Sequence, residues 1–513
     1  MSHVSLYVIG AYLVLLLGLG LVSGRFFRGT SADYFVASRS IGPFMLLMSV
    51  FGTTMTAFAL VGSSGEAYTK GIGVYGFMAS WSGLIHSAVF FLVGIRLWAI
   101  GKKHGYVTQC QFFRERFESP LLSSLLFPLL VFLIIPYLLV GLLGAGAVMQ
   151  GSTKGMFPEV FADSHGGIPP WLTGLVICSV VLTYVFFGGV RSTVWANTFQ
   201  TLVFMTTGVI AFVMIAKAFG GANAATAMAL EHSPQHLARE GMITKMQFAT
   251  YCFIPLSVGM FPHIFQHWLT ARSARTFRLT VVMHPICIAI VWLPCILIGT
   301  WAAGSPEITL PAAEANAVLG VTLGLLAQSP LLSGLLTAGI LAAIMSSLDS
   351  QFMCLSTMFT HDVLLRLVGE RTVSDRQKLL AGRAFVIFVV IVTYLWSLAE
   401  PRSVFSMGVW CFSGFSGLFP LVLAAVYWKR ATRAGALSCV LVTGAVWLTL
   451  FARADFGKAS EHDTLLFGMM PVAVILASSA LTMLIVSLLT RPPAPSIVEQ
   501  FIPSVGDGSI TAS

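Results

Sequence analysis

The chain has 513 residues, of which 57% are hydrophobic and 10% are charged, and its mean hydropathy is +0.87. Soluble domains carry about 25% charged residues, so this composition excludes both a soluble globular protein and a charged disordered one. The net charge of +9 suits basic loops that face anionic lipid headgroups, and it does not require a nucleic-acid partner. Most of the chain is therefore expected to lie in lipid.

Apolar stretches that are long enough to cross a hydrocarbon core of about 30 Å recur along the chain. We predict about 13 transmembrane helices, with boundaries uncertain by about 2–4 residues. The predicted spans are 4-23, 43-66, 75-99, 121-149, 170-187, 194-219, 247-266, 279-303, 331-359, 384-399, 404-427, 435-452 and 465-490. The first span has no basic segment before it and is followed by Arg25 and Arg28, which favours a retained helix over a cleaved signal peptide.

The distribution of basic residues predicts the orientation of the chain. If the N-terminus is outside, the loops that follow the odd-numbered helices face the cytoplasm, and these loops hold most of the Lys and Arg residues. The positive-inside rule therefore predicts an N-out, multi-pass protein of the bacterial inner membrane. Residues 1-490 are expected to form one membrane domain, and residues 491-513, rich in Pro, Gly and Ser, a disordered cytoplasmic tail.

Two predicted spans carry helix-breaking residues in their interiors. The second span contains Gly52, Gly62 and Gly65, and the seventh contains Pro255, Gly259 and Pro262. If helices 2-6 and 7-11 are paired, these spans begin two five-helix units of opposite orientation, with helices 1, 12 and 13 at the periphery. Broken helices at matching positions indicate a transporter site, because unwound backbone offers carbonyls and amides at the midplane. The alternative is that the glycines only allow close packing and the prolines only kink.

The ninth span carries a cluster of small oxygen-bearing residues. Ala343, Ser346 and Ser347 are spaced i, i+3 and i+4, so one carbonyl and two hydroxyls share one helix face. A hard cation such as Na⁺ takes oxygen ligands, and neutral oxygens suffice when helix ends add their dipoles. The alternative is that both serines donate to carbonyls of their own helix.

Other polar residues also lie at membrane depth. Asp349 follows the serines by less than one turn, and an ionisable group there is costly enough that a function in ion release or proton handling is the default interpretation. A structural anchor that pairs with a neighbouring helix is the alternative. Asn197 and Gln200 in the sixth span are uncharged, and interhelical hydrogen bonds would explain them.

Five stretches together resemble the sodium/solute symporter family. They are SADYFVASRS at 31-40, GTTMTAFALVGSSGEAY at 52-68, GYVTQCQFFRERF at 105-117, FFGGVRSTVWANTFQ at 186-200 and AAIMSSLDSQFMCLSTMFTHD at 342-362. The resemblance covers nearly the whole chain, and it is carried by the order and spacing of the stretches. It implies an all-α, inverted-repeat (5+5) LeuT-like core with a sodium site between the broken second helix and the ninth.

Transferred residue by residue, the resemblance implies which atoms coordinate sodium. These are the carbonyls of Gly52, Met55 and Ala343 and the hydroxyls of Ser346 and Ser347.

One departure from the family pattern bears on the number of ions. Members commonly carry a T-D-x-x-Q pattern in the sixth helix, where this chain has Ala196, Asn197 and Gln200. The missing carboxylate favours one coupling sodium rather than two, although the Asn197 amide could still shape the sodium path.

The solute is less sharply indicated than the ion. The stretch GMFPHIFQHWLTARSARTFR at 259-278 resembles the seventh-helix region of monocarboxylate and acetate carriers in the family. The resemblance places Thr54 and Thr56 at the substrate cavity. A small carboxylate could then meet Thr53, Thr54, Thr56, Tyr137 and His263. The fourth span has no Arg to bind a carboxylate, so a zwitterionic or neutral solute stays open.

The leading hypothesis is therefore sodium-coupled symport of a small organic solute by alternating access. Proline-like or pantothenate uptake and proton coupling through Asp349 are the alternatives within transport. A solute sensor is a further class, and it would need a partner protein for its output. An enzyme is disfavoured, because no motif pairs a nucleophile with a base and the sequence shows no metal-ligand cluster. The sequence does not indicate an oligomeric state.

Overall fold

The computed structural model describes residues 3–23, 39–326, 329–369, 372–399, 403–459 and 464–502. Within these ranges the regular structure is helical, and β-pairing is limited to two isolated bridges. Arg25, Arg28 and most of the 31-40 stretch lie outside the described residues, as does the end of the chain from 503.

Nineteen helices follow one another along the described chain, apart from three short 3-10 turns at Ala162–Ser164, Pro234–Leu237 and Asp455–Gly457. They are α1 His3–Ser23, α2 Pro43–Thr54, α3 Phe58–Lys70, α4 Tyr75–His104, α5 Gln109–Arg116, α6 Pro120–Ser152, α7 Pro170–Phe187, α8 Gly189–Ala218, α9 Ala222–His232, α10 Lys245–Gly259, α11 Pro262–Thr270, α12 Ala274–Ala303, α13 Ala312–Leu325, α14 Pro330–Val368, α15 Asp375–Ser397, α16 Val404–Tyr427, α17 Arg433–Arg453, α18 Pro471–Leu489 and α19 Pro495–Phe501.

The described helices include 11 that are long and apolar enough to cross a membrane, or 13 if each of two bent pairs forms one span. The bent pairs are α2 with α3, which meet at 59°, and α10 with α11, which meet at 52°. They correspond to the second and seventh predicted spans, so the predicted interruptions are confirmed. The structure bears out the expectation of an all-helical membrane protein with about 13 spans.

The two breaks fall at particular residues. Helix α2 ends at Thr54, and Met55 leaves the helical region with φ −86° and ψ 87°. Phe261 is extended, with φ −65° and ψ 118°, because the ring of Pro262 disfavours helical backbone at the preceding residue. Gly65 does not break the helix but lets α13 approach, since a Cβ there would lie 2.8 Å from the Ala315 carbonyl oxygen.

The long helix α14 lies at the centre of the bundle. It packs against the consecutive helices α7 and α8, against α1 and against α6, and its apolar window is among the most enclosed of the spans. Helices α17 and α18 pack mainly on each other, and α16 joins them to the rest. This arrangement places the serines of α14 in the interior, next to the broken end of α2.

A buried arginine fixes the short helix α5 to the end of α16. The Arg116 guanidinium is fully buried, and its Nε and Nη2 donate to the carbonyls of Ala425 at 2.9 Å and Trp428 at 3.4 Å. Burial lowers the pKa of Arg116 to about 10. The side chain remains a cation at neutral pH, and it caps the carbonyl end of a helix, where positive charge is favourable.

The chain after Arg491 departs from the expected disorder. Residues Pro495–Phe501 form the short helix α19, and the Phe501 ring is buried against His104 and Phe112, with centroid distances of 5.3 and 6.0 Å. The prediction was wrong for this part of the tail, because it weighed the prolines and overlooked apolar residues that can be buried. The tail from 503 lies outside the described residues.

Candidate functional site

The hydroxyl of Ser346 connects α14 to the last turn of α2. Its Oγ lies 2.8 Å from the carbonyl oxygen of Gly52 and 2.8 Å from that of Ala343. All three residues are buried. Because the chain leaves the helix at Met55, the last carbonyls of α2 are not all used by a following turn. The structure thus brings three of the five predicted sodium-coordinating residues together as a cluster of neutral oxygens.

The other two predicted residues lie beside this cluster. Met55 forms the break itself and is completely buried. The Ser347 hydroxyl donates 2.9 Å to the Ile344 carbonyl of its own helix, which is the ordinary arrangement for a membrane serine. Ser346 and Ser347 would therefore have to turn their lone pairs toward an ion. The oxygen set suits a hard alkali cation, and the described residues contain no cluster of three His, Cys, Asp or Glu side chains for a softer metal.

Glycine at position 52 allows α8 to approach α2. A Cβ on Gly52 would lie 2.2 Å from the Thr201 hydroxyl oxygen, which is closer than atoms can approach. That hydroxyl donates 2.9 Å to the Met48 carbonyl of α2. Residue 52 therefore does more than offer its carbonyl, because its missing side chain sets the spacing between the two helices.

A polar network extends from the Ser346 cluster to the carboxylate of Asp349. Tyr184 donates 2.9 Å to one Asp349 oxygen. The Asn197 amide satisfies its hydrogen bonds when its nitrogen faces Asp349, at 2.9 and 3.0 Å from the two oxygens, and its oxygen accepts from Ser350 at 2.8 Å. His267 Nε2 lies 3.0 Å from the Ser350 hydroxyl. The two predicted ion-path residues, Asn197 and Asp349, are therefore direct neighbours.

A narrow cavity lies between the two broken spans. Its walls come from α2, α3, α4, α6, α10, α12 and α16. The lining residues are Thr54, Phe58, Ser82, His86, Tyr137, Tyr251, Ile254, Pro255, Ser257, Phe261, Trp292 and Phe412. Polar hydroxyl, imidazole and indole groups alternate there with aromatic faces. A small partly apolar solute fits such a lining.

Two of the predicted solute-binding residues, Thr54 and Tyr137, line this cavity. The Thr56 hydroxyl accepts from the Phe58 amide at 3.0 Å and bonds the Tyr137 side chain. Thr53 is buried, with a hydroxyl that has no hydrogen-bond partner among the described residues. Neither Thr53 nor Thr56 is part of the lining.

His263 also lies behind the lining rather than in it. Its ring stacks on Phe261 at 5.1 Å and is tilted against Tyr137 at 5.5 Å. Both ring nitrogens are buried and lack a partner in the described part of the chain. His263 is thus not among the lining residues, although Phe261 and Tyr137, which it contacts, are; its expected donor role toward a solute stays a prediction.

Several residues that line the cavity were not predicted from the sequence. His86 carried a usable signal, because an ionisable side chain within a predicted span is a default functional candidate. Tyr251, Trp292 and Phe412 carried none, because aromatic residues occur in every span. Their convergence depends on how α10, α12 and α16 pack.

The fold and the site together define a class of protein. Two broken spans, a central helix with a serine cluster and an adjoining cavity are the parts of a transporter that holds an ion and a solute at the midplane. The sequence profile of the sodium:solute symporter family matches residues 34–443, and the chain belongs to this family. It is accordingly a multi-pass, sodium-coupled solute symporter.

Individual relatives agree with this assignment. Sodium/proline symporters of Staphylococcus aureus are 26% identical over 520 residues, covering 98% of this chain and 95% of the relative. A Na⁺-coupled sialic acid symporter in a substrate-bound outward-open state has a TM-score of 0.75 at 19% identity, covering 96% of this chain and 99% of that one.

A more distant structure shares the fold. A nucleobase-cation-symport-1 family transporter in a closed conformation has a TM-score of 0.53 at 13% identity, covering 92% of this chain and 98% of the other. At these identities the structural likenesses establish the LeuT-like fold alone.

Proposed function

We propose that this protein carries a small solute with one carboxylate group, together with one sodium ion, across the bacterial inner membrane. The observation that carries the proposal is the lining of the central cavity, which offers hydroxyl and N–H donors next to the proposed sodium site. Thr54 lines this cavity and lies two residues from Gly52, so the cavity adjoins the proposed sodium site.

Sodium would supply the positive charge that the lining lacks. A bare carboxylate in an aromatic-walled cavity is costly, because it leaves water for a medium of low dielectric constant. A cation coordinated by Gly52, Met55, Ala343, Ser346 and Ser347 would offset that cost. Solute affinity should then rise with sodium, and sodium affinity should rise with solute by the same factor.

The size of the cavity favours a small solute. Its free volume is only about 30 Å³, room for about two water molecules, so a bound solute has to be small and the walls have to move apart to admit it. The phenyl rings of Phe58, Phe261 and Phe412 would cover the apolar part of such a molecule. A monocarboxylate of a few carbons satisfies both requirements.

Transport would proceed by alternating access around this site. The breaks after Thr54 and before Pro262 divide their spans into halves that can tilt separately. The second to sixth spans and the seventh to eleventh would form the two inverted repeats. Sodium would favour the outward-open state by joining α2 to α14, and its release would let the halves part.

A zwitterionic solute is the second candidate, and the relatives named sodium/proline symporters favour it. Proline and sialic acid also carry a carboxylate, so the proposed anion site is common to both candidates. An amino acid would need an acceptor for its ammonium group, which the Tyr137 or Ser257 hydroxyl could provide. Proton coupling through Asp349 is the corresponding alternative for the ion.

Reconstitution of the purified protein tests these alternatives directly. Proteoliposomes would receive labelled acetate, pyruvate, pantothenate or proline under an imposed inward sodium gradient or an imposed proton gradient, with protein-free liposomes as the control. We expect uptake of acetate or pyruvate under the sodium gradient. Uptake of proline alone would support the second candidate. Uptake driven only by the proton gradient would contradict sodium coupling.

A further inference from the structure

Two histidines buried in the membrane form a hydrogen-bonded pair beside the central cavity. Nδ1 of His86 on α4 lies 3.2 Å from Nε2 of His284 on α12. His86 lines the cavity and is 9% exposed, whereas His284 is completely buried. The pair joins the cavity wall to the second layer of side chains behind it.

The second layer is aromatic. The rings of Phe51 and Phe90 meet His284 nearly edge to face, at centroid distances of 5.5 and 4.9 Å. Such surroundings disfavour a charged imidazole, so both rings are neutral. A neutral pair shares one proton between the two facing nitrogens, and the choice of donor decides the tautomer of both rings.

The second ring nitrogen of His284, Nδ1, indicates which of the two histidines donates the shared proton. This Nδ1 is buried without a hydrogen-bond partner among the described residues. If His86 donated, His284 would carry its proton on Nδ1 and bury an unsatisfied N–H. If His284 donates from Nε2, the unsatisfied atom is only an acceptor, and orphaned N–H groups are the rarer of the two in proteins. His86, the member of the pair that lines the cavity, then carries its proton on Nε2.

The indole N–H of Trp292 belongs to the same cavity wall as His86. Trp292 lies about two turns after His284 on α12 and lines the cavity, and its indole nitrogen has no partner in the described ranges. Indole is a donor only, so this group can be satisfied by nothing but an acceptor. Ser82, one turn before His86 on α4, lines the same cavity and adds a hydroxyl.

We propose that His86 Nε2 and Trp292 Nε1 donate hydrogen bonds to the carboxylate of the transported solute, and that His284 holds His86 in the required tautomer. The inference rests on the proposed function and deepens it by naming the groups that select a carboxylate. His86 and Trp292 are specificity-determining residues. His284 is a positioning residue, because it acts through His86.

The test compares variants that keep or remove the relevant N–H groups. His86→Met and Trp292→Phe each remove a donor, and His284→Met removes the group that orients His86. Glutamine keeps an N–H near the ε position, so His86→Gln and His284→Gln should recover much of the loss. His232→Met, on the exposed helix α9, is the control.

The measured quantity is the KM for sodium-driven uptake of labelled pyruvate into proteoliposomes, together with the sodium concentration for half-maximal uptake. A hydrogen bond to a charged group corresponds to a factor of about 10 or more in affinity. We expect His86→Met to raise the KM for pyruvate by about tenfold and His284→Met by several-fold, with sodium half-saturation at saturating pyruvate little changed.

Two results would overturn the inference: one refutes only the role of the histidine pair, and the other refutes the proposed function as well. An unchanged KM in His86→Met and Trp292→Phe, with wild-type uptake intact, would refute the role of the histidine pair alone. If the wild-type protein transports none of acetate, pyruvate, pantothenate and proline, the proposed carboxylate function fails and the inference fails with it.

Discussion

The hydroxyl of Ser346 lies 2.8 Å from the carbonyl oxygen of Gly52, although the two residues are 294 positions apart in the chain. This contact joins the central helix α14 to the end of the half-helix α2. An ion that takes both oxygens as ligands would bind the two helices to each other. Occupancy of the site would therefore bear on whether the bundle opens at this side.

The serines of α14 provide the first prediction. Ser346→Ala and Ser347→Ala each remove one proposed ligand of a cation, and the loss of such a contact corresponds to about tenfold or more in affinity. We expect the sodium concentration for half-maximal uptake to rise by that factor. Ser356→Ala, buried on the same helix roughly 15 Å further along, is the control. Equal sodium half-saturation in all three variants would count against the site.

The close approach at Gly52 yields a prediction of rescue. Gly52→Ala would force its Cβ against the Thr201 hydroxyl, so α2 must shift and its carbonyl moves away from Ser346. We expect weaker sodium activation and a lower thermal midpoint. Thr201→Ala in the same chain removes the clashing atom, so it should restore much of the sodium activation and much of the thermal midpoint.

The matched control for this substitution is Gly18→Ala on α1, where a Cβ meets no atom within 4 Å. If Gly52→Ala is as active as Gly18→Ala, the spacing argument is wrong. If the double variant is no better than Gly52→Ala alone, the clash with Thr201 is not the cause of the defect.

The Asn197 and Asp349 pair allows a charge-exchange experiment. Asn197→Asp places a second carboxylate within about 3 Å of the first, and two buried like charges at that distance repel strongly. We expect reduced expression, a lower thermal midpoint and loss of uptake. Asp349→Asn added to Asn197→Asp restores one carboxylate to the network and should recover stability relative to Asn197→Asp. Additive losses in the double variant would show that the two side chains act independently.

Arg116 makes a prediction about stability. Arg116→Lys keeps the charge but cannot reach both the Ala425 and Trp428 carbonyls, which the guanidinium contacts at 2.9 and 3.4 Å. Loss of a buried hydrogen bond from a charged group costs about 1.5–3 kcal/mol. The thermal midpoint in detergent should fall accordingly, whereas the same substitution at the exposed Arg433 should leave it unchanged. Equal midpoints would contradict the capping role.

Much of the fold could be predicted from the sequence because membrane spans have a strong local signal. Length, apolar content and the glycines and prolines of the second and seventh spans were sufficient to predict both breaks. They did not predict the position of the first break, because Met55 is not a residue type that interrupts helices. The local sequence also does not reveal the tertiary contacts of α2, such as the hydrogen bond from Thr201 to the Met48 carbonyl.

The site was predicted as separate residues rather than as a set of contacts. Asn197 was interpreted as a lost carboxylate, whereas the structure places the Asp349 carboxylate within 3.0 Å of it. The number of coupling ions therefore stays a prediction. The His86 and His284 pair is separated by 198 residues, and nothing in either local sequence indicates that the two rings meet.

Sodium binding at the Ser346 cluster can be measured without any solute. The thermal midpoint of the purified protein would be followed while NaCl replaces choline chloride at constant ionic strength, because a ligand that binds only the folded state raises the midpoint. We expect the thermal midpoint to rise with sodium but not with KCl, and the rise in Ser346→Ala to require about tenfold more sodium. The same sodium dependence in the wild-type and Ser346→Ala proteins would contradict this expectation.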